Sequence, residues 1–229
     1  VKGDLQGALK DLDRAIELKR DFFEAYSNRG SLKLDLGDNA GAFDDLNAIA
    51  DHVAGTDAWF HLDGAFGLWA AASPSLRHLV DGAERADSWA TDAHKWLNVP
   101  YDSGIAFCAH PDVHRAAIGV KAAYLVHSEG RERDQVDWTP EFSRRARGFT
   151  IYAAIRELGA QGIAAMVERC RERAQQFAEL LSDAGMVVLN DVVLNQVLVR
   201  TPAEVAERVR ADGTCWLSGT QWDGDHALR

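Results

Sequence analysis

Ser88-Trp89-Ala90-Thr91-Asp92-Ala93-His94-Lys95-Trp96 is the stretch whose reading decides the fold. A lysine stands between a histidine and a tryptophan, just after a short strand-like run. Thirty-two residues before Lys95 lies Asp63, in Trp59-Phe60-His61-Leu62-Asp63-Gly64-Ala65-Phe66-Gly67. There an aspartate closes an apolar run and small residues follow it. Helix-like and strand-like segments alternate around both stretches, which argues for an α/β architecture with a mainly parallel sheet. Ligands of such sheets sit at the carboxyl ends of strands, and Asp63 and Lys95 both fall at such ends.

Either residue alone has an ordinary reading. An aspartate after a strand commonly caps a helix or makes a turn, and a lone lysine is commonly a solvated surface residue. Together they suit pyridoxal 5'-phosphate: a lysine amine forms a Schiff base, and a carboxylate pairs with the pyridine nitrogen and keeps it protonated. The words His61-Leu62-Asp63-Gly64-Ala65, Ala86-Asp87-Ser88-Trp89 and His94-Lys95-Trp96 resemble the group II pyridoxal-phosphate-dependent decarboxylases, which include aromatic amino acid and glutamate decarboxylases. The resemblance runs from Asn39 to the end of the chain.

This resemblance implies a partial pyridoxal-phosphate fold type I sheet, of the aspartate aminotransferase kind, carrying an N-terminal helical hairpin. It implies a carboxy-lyase acting on an amino acid, working as a homodimer. It makes Lys95 the Schiff-base lysine, Asp63 the partner of the ring nitrogen and Ala65 the small residue on the ring face. His94 and Asp92 match positions at or around the phosphate, and His94 is also a catalytic candidate. Asp92 departs from the asparagine often found there. Gln135 stands where aromatic amino acid decarboxylase carries a loop tyrosine that assists protonation of the product.

Composition sets outer bounds. The 229 residues suffice for one large domain or two small ones. With 47% hydrophobic residues a sizeable core can be buried. A net charge of −10 argues against a nucleic-acid partner. No apolar run approaches the ~18 residues of a membrane span, and Val1-Lys2-Gly3-Asp4 does not start a secretory signal. Cys108, Cys170 and Cys215 are an odd, scattered set without metal-ligand spacing, expected as buried reduced thiols in a cytoplasmic protein. No metal site is expected.

Three segments follow. Residues 1–37 read as two helices. Leu5, Ala8, Leu9, Leu12, Ala15 and Ile16 draw one apolar face, and the second helix runs from about Phe22 to Leu36, ending at Gly37. Asp13-Arg14-Ala15-Ile16-Glu17-Leu18 and Ala25-Tyr26-Ser27-Asn28-Arg29-Gly30 resemble tetratricopeptide repeats. So short an array cannot bury its own face, so it docks on the next domain, pairs with another protein or is partly ordered. Residues 38–150 read as the C-terminal half of the cofactor-binding domain, and 151–229 as a linking helix with a truncated small domain.

Within these, Leu46, Ile49, Ala50 and Val53 mark a helix closed by Gly55, and Ala58–Leu62 a buried strand. Ile105–Ala109 reads as a further strand, residues 127–137 as a mobile polar loop, and Ser143–Arg147 as a basic run that is either a solvated face or packed against nearby carboxylates. Ile163, Met166, Val167, Cys170, Ala174, Phe177, Leu180 and Leu181 share a face of a long helix capped at Gly185. Met186–Leu189 and Gln196–Val199 read as strands and Thr201-Pro202 as a helix start, and residues 213–220 resemble a strand pair near the family's C-terminus. No glycine-rich or serine-rich phosphate loop precedes Asp63, which predicts weak cofactor binding by this chain alone. The competing reading is a non-catalytic interaction protein whose helical hairpin binds a partner and whose decarboxylase-like sheet is structural.

Overall fold

The computed structural model describes residues 5–20, 22–35, 39–119, 134–222 and 224–229. In chain order the main elements are α1 (Leu5–Leu18), α2 (Phe23–Asp35), α3 (Asn39–Val53), β1 (His61–Asp63), β2 (Ser88–Asp92), β3 (Gly104–Cys108), α4 (Pro111–Ile118), α5 (Gly148–Asp183), β4 (Val199–Arg200), α6 (Val205–Asp212), β5 (Gly219–Trp222) and β6 (Asp225–Leu228). They group into two compact units. One comprises residues 1–58, 69–84 and 160–229, and the other residues 59–68 and 85–159. One boundary falls inside α5 at Gly159, whose φ of 60° and ψ of 179° leave the helical region. Only glycine takes such a backbone angle readily.

In the first unit, α1 and α2 form the expected hairpin and α3 packs against α2. Ile16, Ala25, Ile49 and Ala50 are buried. A buried ion pair fastens the three helices. Asp45 of α3 accepts from Arg29 of α2 through Nη2 at 2.5 Å and Nε at 3.1 Å. Arg29 also donates to Asp13 of α1 at 2.9 Å, and Lys33 Nζ lies 3.2 Å from Asp45. The Asp45 hydrogen bond is the main cause holding the Arg29 guanidinium above its ordinary range. Gly55, at φ 76°, follows α3 as expected.

The second half of α5 carries the apolar face read from the sequence, with Ile163, Val167 and Ala174 buried, whereas Phe177 and Leu180 are exposed. Gly185 sits at φ 81° just after it. The two strands expected around Met186–Val199 shrink to a single bridge, Val188 to Val199, and the two-residue β4. The small sheet has the antiparallel order β4-β6-β5, and its hairpin lies a few residues beyond the expected 213–220. Thr201 does not start a helix. It is buried and its N–H bonds to His226 O at 3.0 Å, so the sheet uses it and α6 begins only at Val205. The thiols are free, but Cys215 is exposed and Cys108 and Cys170 are half-buried, so none is the buried core residue expected.

The second unit is built on the sheet β1-β2-β3. β1 and β2 run parallel, with Asp63 opposite Ala90. β2 and β3 run antiparallel, because residues 93–103 are too few for the helical crossover that a parallel partner requires. The expected strand at 58–62 starts late for a clear reason. Asp87 Oδ2 accepts the Phe60 N–H at 2.7 Å, so a side chain takes the place of a ladder partner and pairing begins at His61. Phe60, Ala86, Ala93, Trp96, Leu97 and Val99 are buried. Residues 127–133 of the expected polar loop lie outside the described residues, and Gln135–Asp137 form one 3-10 turn.

Candidate active site

The carboxyl ends of β1 and β2 bring the two decisive stretches together. Asp63 ends β1 and Asp92 ends β2, and paired strands lie about 4.8 Å apart. Beyond the ladder the backbones stay tied. Gly64 N donates to Ala90 O at 2.8 Å, and Asp92 N donates to Ala65 O at 2.7 Å. The buried Thr91 hydroxyl donates to Gly64 O at 3.1 Å and lies 3.3 Å from Ala65 O. A Cβ on Gly64 would stand 2.8 Å from Leu68 Cβ, so the tight turn of this loop onto Leu68 requires glycine there.

Asp63 is exposed and uses Oδ1 to accept the Ala65 N–H at 3.2 Å, a turn that fixes its side chain across the strand end. Its Oδ2 has no hydrogen-bond partner among the described residues. Lys95 follows β2 in a turn closed by Asn98, which takes φ 53° and donates its N–H to Lys95 O at 3.2 Å. Lys95 Nζ lies 2.7 Å from Asp92 Oδ2 and 5.9 Å from the centre of the Phe66 ring. The sequence matched Asp92 with the surroundings of a phosphate; here its carboxylate pairs with Lys95.

His94 points its Nδ1 into the backbone of Ser103, 2.7 Å from the carbonyl and 3.1 Å from the N–H. It donates to the first or accepts from the second, and that choice sets its tautomer. The Tyr101 ring packs on the imidazole with centroids 4.2 Å apart, and Nε2 lies 3.9 Å from Asp92 Oδ2. Ser103 O also accepts from Ala93 N and His94 N, at 3.0 and 3.2 Å.

Of the two readings of the basic run, a solvated face or a partner of nearby carboxylates, the second describes Arg145 and Arg147, which meet Asp102. Arg147 donates to its side chain at 2.9 Å and to its carbonyl at 2.7 Å. Arg145 donates to Asp102 Oδ1 at 3.0 Å and to Tyr101 O at 2.7 Å. The Arg147 hydrogen bond is the main cause that pushes the Asp102 carboxyl down to about 2, and the same bond raises the Arg147 guanidinium. Thr91, Phe66 and Ser103 were not singled out in the sequence. Only their nearness to Asp63 and Lys95 could have pointed to them.

The donor set fits pyridoxal phosphate. It offers a primary amine, a carboxylate with an open oxygen, a small residue between them, and buried hydrogen-bonding groups. Ser103 Oγ and Trp96 Nε1 are both buried without a partner among the described residues, and such groups are costly to leave unmet. Among the described residues no group of three or more His, Cys, Asp or Glu is placed to hold a metal ion. No helix there is long and apolar enough to cross a membrane.

Known proteins match the same region. The family model described as the pyridoxal-dependent decarboxylase conserved domain matches residues 36–200. An aromatic-L-amino-acid decarboxylase of Manduca sexta is 28% identical over 196 residues, covering 82% of this chain and 39% of the relative. That of Drosophila lebanonensis is 33% identical over 164 residues, covering 71% and 41%. The crystal structure of Oryza sativa TDC with PLP and tryptamine superposes with a TM-score of 0.72 at 24% identity, covering 80% of this chain and 42% of that one. This likeness shows the fold alone, a partial α/β architecture of fold type I. The chain thus spans about two fifths of the length of the relatives it matches.

Proposed function

We propose, from the premise that this chain belongs to the pyridoxal-dependent decarboxylase family, that it is part of a carboxy-lyase acting on the α-carboxylate of an amino acid. One observation carries the reading. Asp63 and Lys95 stand at the carboxyl ends of adjacent parallel strands whose loops are hydrogen-bonded to each other. That is where an α/β sheet binds its ligand.

When bound, pyridoxal phosphate supplies the electron sink that makes loss of a carboxylate from an amino acid feasible. The chain's own residues bind, orient and hold protons. Lys95 Nζ is the attachment point. Asp63 Oδ2 accepts a ring N–H and, as a carboxylate, keeps that proton in place. Ala65 leaves room for a flat ring. His94, with Nδ1 committed to Ser103, presents Nε2 to the site. Asp92 completes the cofactor-binding set. The substrate is an amino acid, and the working form is a cytoplasmic homodimer. Residues 1–37 serve as a tetratricopeptide-repeat-like hairpin open to a protein partner, 38–150 as half of the cofactor domain, and 151–229 as linking helix and small domain.

Borohydride reduction in the presence of pyridoxal phosphate, followed by peptide mass spectrometry, tests this reading. A pyridoxyl group on Lys95 alone is expected. Labelling spread over Lys2, Lys10, Lys33 and Lys121 as well marks ordinary amine reactivity and removes the assignment.

A further inference from the structure

We infer that Asp92 is the internal counter-ion of Lys95, a positioning residue that holds the ammonium docked until an aldehyde displaces it. This rests on the reading of Lys95 as the attachment lysine and assigns Asp92 a part distinct from phosphate binding. The pair is built rather than incidental. Asp92 is the last residue of β2, and its N–H is fixed on Ala65 O at 2.7 Å. Lys95 is held three residues on by the turn that Asn98 closes. From these two anchors Asp92 Oδ2 and Lys95 Nζ meet at 2.7 Å, with the Phe66 ring 5.9 Å from the amine.

Both partners hold the ammonium in place. A carboxylate attracts the positive charge directly, and an aromatic face attracts it through its quadrupole. The ammonium has no lone pair and cannot attack a carbonyl. Attachment therefore requires Lys95 to leave Asp92 and give one proton to water. The Nζ lone pair then bonds to the aldehyde carbon, and the two remaining protons leave with the aldehyde oxygen as water. A carboxylate would also repel a phosphate brought close to it, so an effect of Asp92 on the amine has to be told from an effect on the anion.

The two effects are separable. Reductive methylation with formaldehyde and cyanoborohydride, read by peptide mass spectrometry at neutral pH, reports Lys95 reactivity with no cofactor present. The side chains of Asp92 and Lys95 are 32% and 42% exposed. A pair of that exposure is worth up to about 1 kcal/mol, so Asp92→Asn speeds Lys95 methylation about twofold to fivefold relative to Lys10. In the unaltered chain, raising the salt concentration speeds Lys95 by screening the pair, a control that needs no variant to fold. Lys95 rates that move with neither Asp92→Asn nor salt overturn the proposal.

Parallel reductions with pyridoxal and with pyridoxal phosphate complete the test. A gain in Asp92→Asn with both aldehydes supports the counter-ion role. A gain with pyridoxal phosphate alone means that Asp92 acts only by repelling phosphate, and overturns it. If neither aldehyde labels Lys95 while the formaldehyde result holds, the counter-ion stands and the cofactor assignment of Lys95 fails.

Discussion

Replacing Asp45 by alanine removes a carboxylate shared by Arg29 and Lys33, and its cost can be worked from the structure. The Asp45 side chain is 2% exposed, and those of Arg29 and Lys33 are 17% and 14% exposed. Breaking a buried ion pair by deleting one partner typically costs about 3–5 kcal/mol, because the remaining charge stays desolvated. Two features lower the figure here. Arg29 keeps Asp13 at 2.9 Å, and its guanidinium still reaches some water. An expected loss of about 2–4 kcal/mol follows, read as a lower midpoint in equilibrium urea unfolding at unchanged slope. Amide exchange should localise the loss to α1, α2 and α3. A loss below about 1 kcal/mol would mean that apolar packing alone holds the three helices. The double replacement of Arg29 by Met and Asp45 by Leu separates charge from geometry. It removes the Arg29–Asp45 pair while Lys33 still loses Asp45, and should recover part of the stability lost in the single variant.

Three further outcomes are expected. The Asp102 carboxyl should titrate with a midpoint of about 2 by carbon-13 NMR and return toward the ordinary 3.8 in Arg147→Ala. Its folded-state value is depressed, so the clasp with Arg145 and Arg147 contributes fully above the unfolded value and is lost as pH falls from about 3.8 through about 2. A midpoint unchanged by Arg147→Ala would refute that cause. Gly82→Ala is strained twice, by φ of 95° and by a Cβ placed 2.9 Å from Asn47 Cγ. It should cost about 1–3 kcal/mol in thermal unfolding, and a neutral result would contradict the clash. Asp63→Asn should still allow Lys95 to be labelled but weaken pyridoxal phosphate binding, since a charge-assisted hydrogen bond becomes a neutral one. Equal affinity in a spectroscopic titration would remove Asp63 from the site.

The parts of this fold legible in the sequence are those with strong local signals. The helices α1 to α3 follow an apolar period, Gly55 and Gly185 end helices at positive φ, and Asp63 and Lys95 fall at strand ends. What escaped depends on contacts between distant residues. The start of β1 is set by the Asp87 carboxylate taking the Phe60 N–H from 27 positions away. The delayed start of α6 is set by His226, which draws Thr201 into the sheet. At the candidate site the residue types were readable, but Asp92 was matched by position, and its closeness to Lys95 emerges only once β2 and its following turn are folded.

The same contrast explains how a short, exposed sheet can hold the site still. Its strands have three to five residues, too few to fix loops by ladder pairing alone. Side chains supply the rest. Arg145 and Arg147 pin Tyr101 and Asp102 through carbonyl and carboxylate oxygens. That places Ser103, whose carbonyl collects the N–H groups of Ala93 and His94 and the imidazole Nδ1. On the other side Thr91 and the Asp92 N–H hold the loop after Asp63. A basic stretch more than forty residues beyond Asp102 in sequence thus reaches His94 through one carboxylate and one serine backbone. The charges on Arg145 and Arg147 act as positioning elements for the turn that carries Lys95, and their ordinary surface appearance in the sequence concealed that part.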